Sequence, residues 1–197
     1  MATGKLIAFE GGDGVGKATQ SLLSVETLMK KGRGVAHFSF PRYETEVGKK
    51  IRAMLVGEIP WDPLMFQTLM LADKCDANTE ISDLLASGDD VVCDRWLASA
   101  KVYGASDGLD PAWLERTHSV LAQPDLTILL SVRESVALAR RPGLRDRYEK
   151  DRDKQVAVAA RYEELARIER WMVINGEGTV EGVASLVSYA IKSELGI

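Results

Sequence analysis

Cysteine and histidine are scarce in this 197-residue chain, which has two of each. Cys75 and Cys93 belong to no CxxC pair and have no histidine-rich neighbourhood. That argues against a disulfide framework and a Cys/His metal centre, leaving ordinary thiols in a reducing compartment. His37 falls in an apolar run with strand character and His118 in a helical pattern; neither has a partner for acid–base work, and both read as structural. An excess of positive charge is missing too: 25 Lys and Arg stand against 29 Asp and Glu, a net charge of −4. The chain as a whole is not drawn to a nucleic-acid polymer or an anionic membrane, so any anionic ligand must be held by a local cluster of basic groups. No apolar run approaches the ~18–20 residues of a spanning helix. Met1 to Gly4 are few and polar, so no signal peptide is expected and the location expected is cytoplasmic. Repeats, low-complexity tracts and Pro/Gly/Ser linkers are lacking as well. The expectation is a single domain over residues 1–197.

What is present is a rhythm. Five short apolar runs have strand character: Lys5–Glu10, Val35–Ser39, Val91–Cys93, Leu126–Val132 and Trp171–Ile174. They are near-continuous rather than alternating, as befits strands buried on both faces of a parallel sheet. Between them lie helical patterns at Gln20–Lys31, Glu44–Val56, Pro63–Ala86, Pro111–Leu121, Arg133–Arg140, Asp151–Glu169 and Val180–Glu194. Strands alternating with helices predict an α/β fold, with ligands bound at the carboxyl ends of the strands.

The first run leads into Glu10-Gly11-Gly12-Asp13-Gly14-Val15-Gly16-Lys17-Ala18-Thr19. A glycine-rich loop between strand and helix, ending in Gly-Lys, is the context of a Walker A phosphate cradle. Backbone N–H groups from Gly11 to Thr19 would converge on phosphate oxygens, and Lys17 would add a full charge near the β- and γ-phosphates of ATP. Position 18 departs from the motif, because alanine has no hydroxyl for Mg²⁺. Thr19 is no substitute, since a helix turns ~100° per residue. The expectation is Mg²⁺ held through water and carboxylates, with Asp13 and Glu149 as candidates and Glu10 at the loop's entrance.

Two further clusters carry charge. Asp94-Arg95 ends a buried strand, where a charged pair must be satisfied by itself, a metal or a ligand. Arg140, Arg141, Arg145 and Arg147 surround a Pro-Gly break. Cations on such a loop can reach transferring phosphoryl oxygens once substrate is bound.

Taken together, Phe-Glu-Gly-x-Asp-Gly-x-Gly-Lys, Phe40-Pro41-Arg42-Tyr43, Asp94-Arg95-Trp96 with Ser99 and Tyr103, and Asp146-x-Tyr148-Glu149 resemble the thymidylate kinase family over nearly the whole chain. The resemblance implies a P-loop NTPase fold, with a five-stranded parallel sheet, helices on both faces and a short lid at about 140–150. It implies transfer of phosphate from ATP to a deoxypyrimidine 5′-monophosphate, dTMP first. Phe40, Pro41, Arg42 and Tyr43 would line the acceptor site, and Arg95 would bridge the acceptor and donor phosphates. Asp94 would orient Arg95 or the metal shell, Asp13 would hold the acceptor phosphate or its Mg²⁺, and Tyr103 would close over the sugar. Asp146, Tyr148 and Glu149 would be lid contacts, and Arg141 or Arg145 would be catalytic. Gly14, rather than an arginine, follows Asp13, the form in which the lid supplies that arginine. The base pocket departs from the family: Met70 stands where a phenylalanine stacks and Lys74 where an arginine contacts a base carbonyl, with Ala100 and Lys101 following Ser99. Those departures leave open a kinase for dUMP or a 5-substituted dUMP. A P-loop regulatory protein that hydrolyses nucleotide slowly is the alternative from another class. The resemblance also implies a homodimer, for which Pro63–Ala86 offers Leu64, Phe66, Leu69, Met70 and Leu71.

Overall fold

The computed structural model describes residues 3–140, 143 and 146–197. Five strands, β1 (Leu6–Glu10), β2 (Val35–Ser39), β3 (Asp90–Asp94), β4 (Leu126–Ser131) and β5 (Met172–Asn175), form one sheet in the order β2-β3-β1-β4-β5. Every pairing is parallel. Nine helices accompany them among the described residues: α1 (Lys17–Lys30), α2 (Glu46–Val56), α3 (Pro63–Ser87), α4 (Leu97–Ser106), α5 (Pro111–His118), α6 (Glu134–Ala139), α7 (Arg147–Lys150), α8 (Arg152–Glu169) and α9 (Val180–Leu195).

β1 is buried along its whole length because it is central and covered on both faces. Ile7 and Phe9 pack in the core with Leu28, Val183 and Val187 of α1 and α9. Leu6 and Ala8 point the other way, into the core with Ala77, Ile81 and Leu97 of α3 and α4. This alternation is the period-2 geometry of a strand. In register, Phe9 lies opposite Asp94, so the loops leaving β1 and β3 emerge side by side at one sheet edge.

Local chemistry sets the helix ends. Thr45, Asp62, Asp110, Asp146, Asp151 and Thr179 each accept a hydrogen bond from a backbone N–H in the first turn of the helix that follows. Gly57 and Gly88 close α2 and α3 in the left-handed region. One glycine does a different job. A Cβ on Gly48 would lie 1.9 Å from the carbonyl oxygen of Arg42, so α2 rests directly on the backbone of the 40–43 segment.

Two helices are additions to the sequence reading. α4 was read only as the neighbourhood of Ser99 and Tyr103. Seven of its ten residues are buried, so it has no polar stripe from which to read a period. α7 is a single turn. α1 begins at Lys17 rather than Gln20, which puts the lysine on the first helical residue beside the loop.

Candidate active site

The loop between β1 and α1 turns through three glycines in the left-handed region: Gly11 (φ 138°), Gly14 (φ 81°) and Gly16 (φ 101°). A side chain at Gly11 would also strike the Leu130 carbonyl at 2.6 Å. Val15 is buried in the core, and Gly11 packs against β4, so both can offer a ligand only their backbone. Lys17 Nζ donates to the Gly12 carbonyl at 2.6 Å, folding back over the loop. Burial, and then the nearby Arg95 guanidinium, pull the Lys17 ammonium down to about pKa 8 against the attraction of Asp13, Asp94 and Glu10. Gly14, Gly16, Lys17, Ala18 and Thr19 line one long cavity at this edge.

Arg95 is in the left-handed region at φ 66°, a strained position for an arginine. Its backbone N–H is tied to the Phe9 carbonyl at 2.9 Å, which fixes the side chain over the loop. The guanidinium pairs with Asp13 and donates to Gly11 O (3.2 Å) and Ser99 Oγ (3.3 Å). It also lies 5.4 Å from the centre of the Tyr103 ring. Tyr103 OH donates to Asp13 Oδ2 at 3.4 Å, and Gln155 Nε2 reaches the same oxygen at 3.5 Å. Asp13 therefore gathers Arg95, which directly follows β3, and groups from α4 and α8.

A second cavity opens beside the first. Both are lined by Asp13, Pro41, Tyr43, Leu55, Arg95 and Asp146, so they meet at the Asp13–Arg95 pair. The second alone has Phe66, Gln67, Met70, Ser99, Ala100, Tyr103 and Tyr148 on its walls. Its lid-side wall is fixed by Asp107, which accepts from Tyr148 OH and is ion-paired with Lys154. Burial and the adjacent Asp107 push the Tyr148 phenol well above its usual range.

Most of the expected site residues are thus brought together, but not all where expected. Phe40, Asp94 and Glu149 line the phosphate-side cavity rather than the second one. Arg42 turns away from both: its guanidinium binds Asp73 Oδ1 (3.0 Å) and Asp76 Oδ2 (2.7 Å), tying the 40–43 segment to α3. Lys74 does not line the second cavity. It is fully buried deeper under α3, without a hydrogen-bond partner among the described residues, and burial lowers its pKa to about 8. Met70 closes the wall first, because long helical side chains lean toward the N-terminal turn. Lys101 lies off the cavity as well, bridging Glu115 and Glu169. Glu10 is not at hand for a metal. It accepts from Trp96 N (2.8 Å), Ser99 Oγ (2.7 Å) and Tyr162 OH (3.2 Å), holding β1 to α4 and α8. Among the described residues no three His, Cys, Asp or Glu side chains form a metal cluster. Of the loop arginines, Arg140 lines the phosphate-side cavity and Arg147 stacks on Trp61 at 4.7 Å. Arg141 and Arg145 lie outside the described residues.

The sequence reading missed Gln67, Phe66 and Leu55 of the second cavity and Arg52 of the first. The signal for Gln67 was its place three residues before Met70, on the same helix face. Among the described residues no helix is long and apolar enough to cross a membrane.

Comparison with known proteins fits this geometry. The family model described as thymidylate kinase matches residues 9–187. The thymidylate kinase of Caenorhabditis elegans is 33% identical, over 91% of this chain and 86% of the relative. A probable thymidylate kinase of Pyrococcus horikoshii is 32% identical, over 98% of each. A solved thymidylate kinase of Candida albicans superposes with a TM-score of 0.83 at 23% identity, covering 98% of this chain and 93% of the other, and so shares the P-loop NTPase fold. With more than four-fifths of its length matched by the family model and relatives of this identity, the chain belongs to the thymidylate kinase family.

Proposed function

We propose that the protein transfers the γ-phosphoryl group of ATP to dTMP, giving dTDP and ADP. The observation that carries this reading is the meeting of two cavities, one floored by the phosphate loop and one largely apolar, at Arg95 and Asp13. A nucleoside monophosphate in the second cavity has its phosphate at that junction, facing the end of an ATP held over Lys17.

The acceptor phosphate is already an oxyanion, so no base is needed. One of its oxygens forms a bond to the γ-phosphorus as the bond to the β,γ-bridging oxygen breaks, and the electron pair leaves with ADP. Lys17 exchanges the Gly12 carbonyl for a β- or γ-oxygen. Arg95, freed in part from Asp13, spreads charge over the acceptor and transferring groups, and Arg140 stands on the lid side of the same cavity. Positioning and charge compensation supply most of the acceleration in phosphoryl transfer. The residues suit Mg²⁺ in an outer-sphere role: Asp94 Oδ1 is buried at the phosphate cavity without a partner among the described residues. Asp94 would hold Mg²⁺ there through water, Ala18 having no hydroxyl to offer, and the ion would supply charge neutralisation for the phosphate oxygens of ATP. Asp13 and Glu149 are secondary candidates for the same water shell.

A preference for dUMP is not favoured, because the curated relatives carry the name thymidylate kinase. The reaction is assigned to a reducing cytoplasm, consistent with two unpaired cysteines, one of them exposed. A homodimer through α3 keeps a smaller face than the sequence suggested. Phe66 and Met70 are core, which leaves Leu64 and Met65 exposed. Coupled ADP assays across the common deoxynucleoside monophosphates with Mg-ATP test the activity. The expected result is turnover of order 1–100 s⁻¹ with dTMP, and background rates with all of them would refute it.

A further inference from the structure

On the buried side of α3 two polar atoms lack any hydrogen bond among the described residues, Gln67 Oε1 and Lys74 Nζ. They are seven residues apart, two helical turns on one face, with Met70 between them. Of the two, only Gln67 reaches the second cavity. It is 1% exposed, and its carboxamide oxygen has no hydrogen-bond partner among the described residues. The other buried polar groups on that wall are committed: Ser99 Oγ to Glu10, Tyr103 OH to Asp13 and Tyr148 OH to Asp107. Phe66 and Met70 flank Gln67 with apolar surface. A buried amide oxygen left unpaired in an apolar wall is unfavourable unless a ligand completes it.

We propose that Gln67 is the base-reading residue, its carboxamide forming a paired hydrogen bond with the N3–H and an adjacent ring carbonyl of the thymine. The assignment rests on the dTMP reading above. A carboxamide presents one donor and one acceptor side by side. The thymine edge presents the complement: the Gln67 N–H donates to the ring carbonyl, and Oε1 accepts from N3–H. Glutamine reads adenine in DNA by the same two-point logic. Lys74 cannot do this from its buried place, so in this chain the base contact moves two turns toward the start of α3. The apolar wall of Phe66 and Met70 then sharpens the contact by excluding water that could replace it.

The test compares kcat/KM for dTMP and for N3-methyl-thymidine 5′-monophosphate, which lacks the N3–H, in the wild type, Gln67→Leu and Gln67→Met. The wild type is expected to favour dTMP by about a hundredfold or more, because a site built to hydrogen-bond an N–H rejects an analogue that lacks it. Both variants should shrink that ratio below about fivefold, almost wholly by loss on dTMP, with the KM for ATP unchanged. A ratio within twofold of wild type in either folded variant overturns the assignment. So does a wild type that accepts both substrates equally, a result that needs no variant to fold. If the wild type turns over no dTMP at all, the functional reading itself falls. Normal dTMP turnover with an unmoved ratio removes only the role of Gln67.

Discussion

Arg95 brings backbone and charge into one residue. Its left-handed backbone costs an arginine roughly 1–2 kcal/mol, and the return is a guanidinium fixed where two phosphates would meet. Replacing Arg95 or Lys17 by alanine is expected to cut kcat/KM by about a hundredfold or more. The melting temperature should shift by only a few degrees, because both side chains face the cavity and neither packs in the core. A fall in activity matched by a collapse in melting temperature would show that these groups hold the fold. The motifs around these two residues were legible because each is local: a strand, a glycine turn and a lysine within a dozen positions, or a charged pair ending an apolar run. Gln67 was not picked out, since a place three residues before Met70 in a 25-residue helix gives a shared face but not a cavity until the walls around it are known. Lys74 was placed wrongly for the converse reason, because spacing along a helix gives a face and not a depth.

Among the elements, the second cavity is bounded on one side by α7, a single turn whose Tyr148 packs against the Trp61, Phe66 and Tyr103 rings. It is held by the Asp107 carboxylate at the end of α4, which takes both the Tyr148 hydroxyl and the Lys154 ammonium. Asp107→Ala is therefore expected to raise the KM for dTMP about tenfold while leaving that for ATP within twofold. Equal changes in both constants would mean that the clamp supports the whole site rather than the acceptor side. The strand–helix alternation and all five strands could be read from the sequence, since buried parallel strands are apolar throughout. α4 could not, because a helix buried on nearly every side shows no period, and α7 is too short to show one.

For the molecule as a whole, the cost of burying ammonium groups appears as a pH dependence of stability. Lys17 and Lys74 are each lowered to about pKa 8 from an unfolded value near 10.5. Between these values the unfolded chain binds more protons than the folded one, so stability rises with pH. From pH 7.5 to 9 each lysine should add about 1 kcal/mol. Near pH 9 the trend is opposed by Cys93, whose thiol is held above its usual value by burial and so keeps its proton only in the fold. Denaturant midpoints across this range check the sign, and a flat or falling profile would show that neither lysine is as deeply desolvated as the structure places it. A different consequence follows from the seating of α2 on the Arg42 carbonyl through Gly48. Position 48 touches neither cavity, yet even a methyl group there must push the acceptor segment aside. Tolerance to inherited change in this enzyme is thus not graded by distance from the bound nucleotide: a silent-looking helix position is closed to variation, while Tyr43, on the cavity wall itself and 41% exposed, has room to vary in shape.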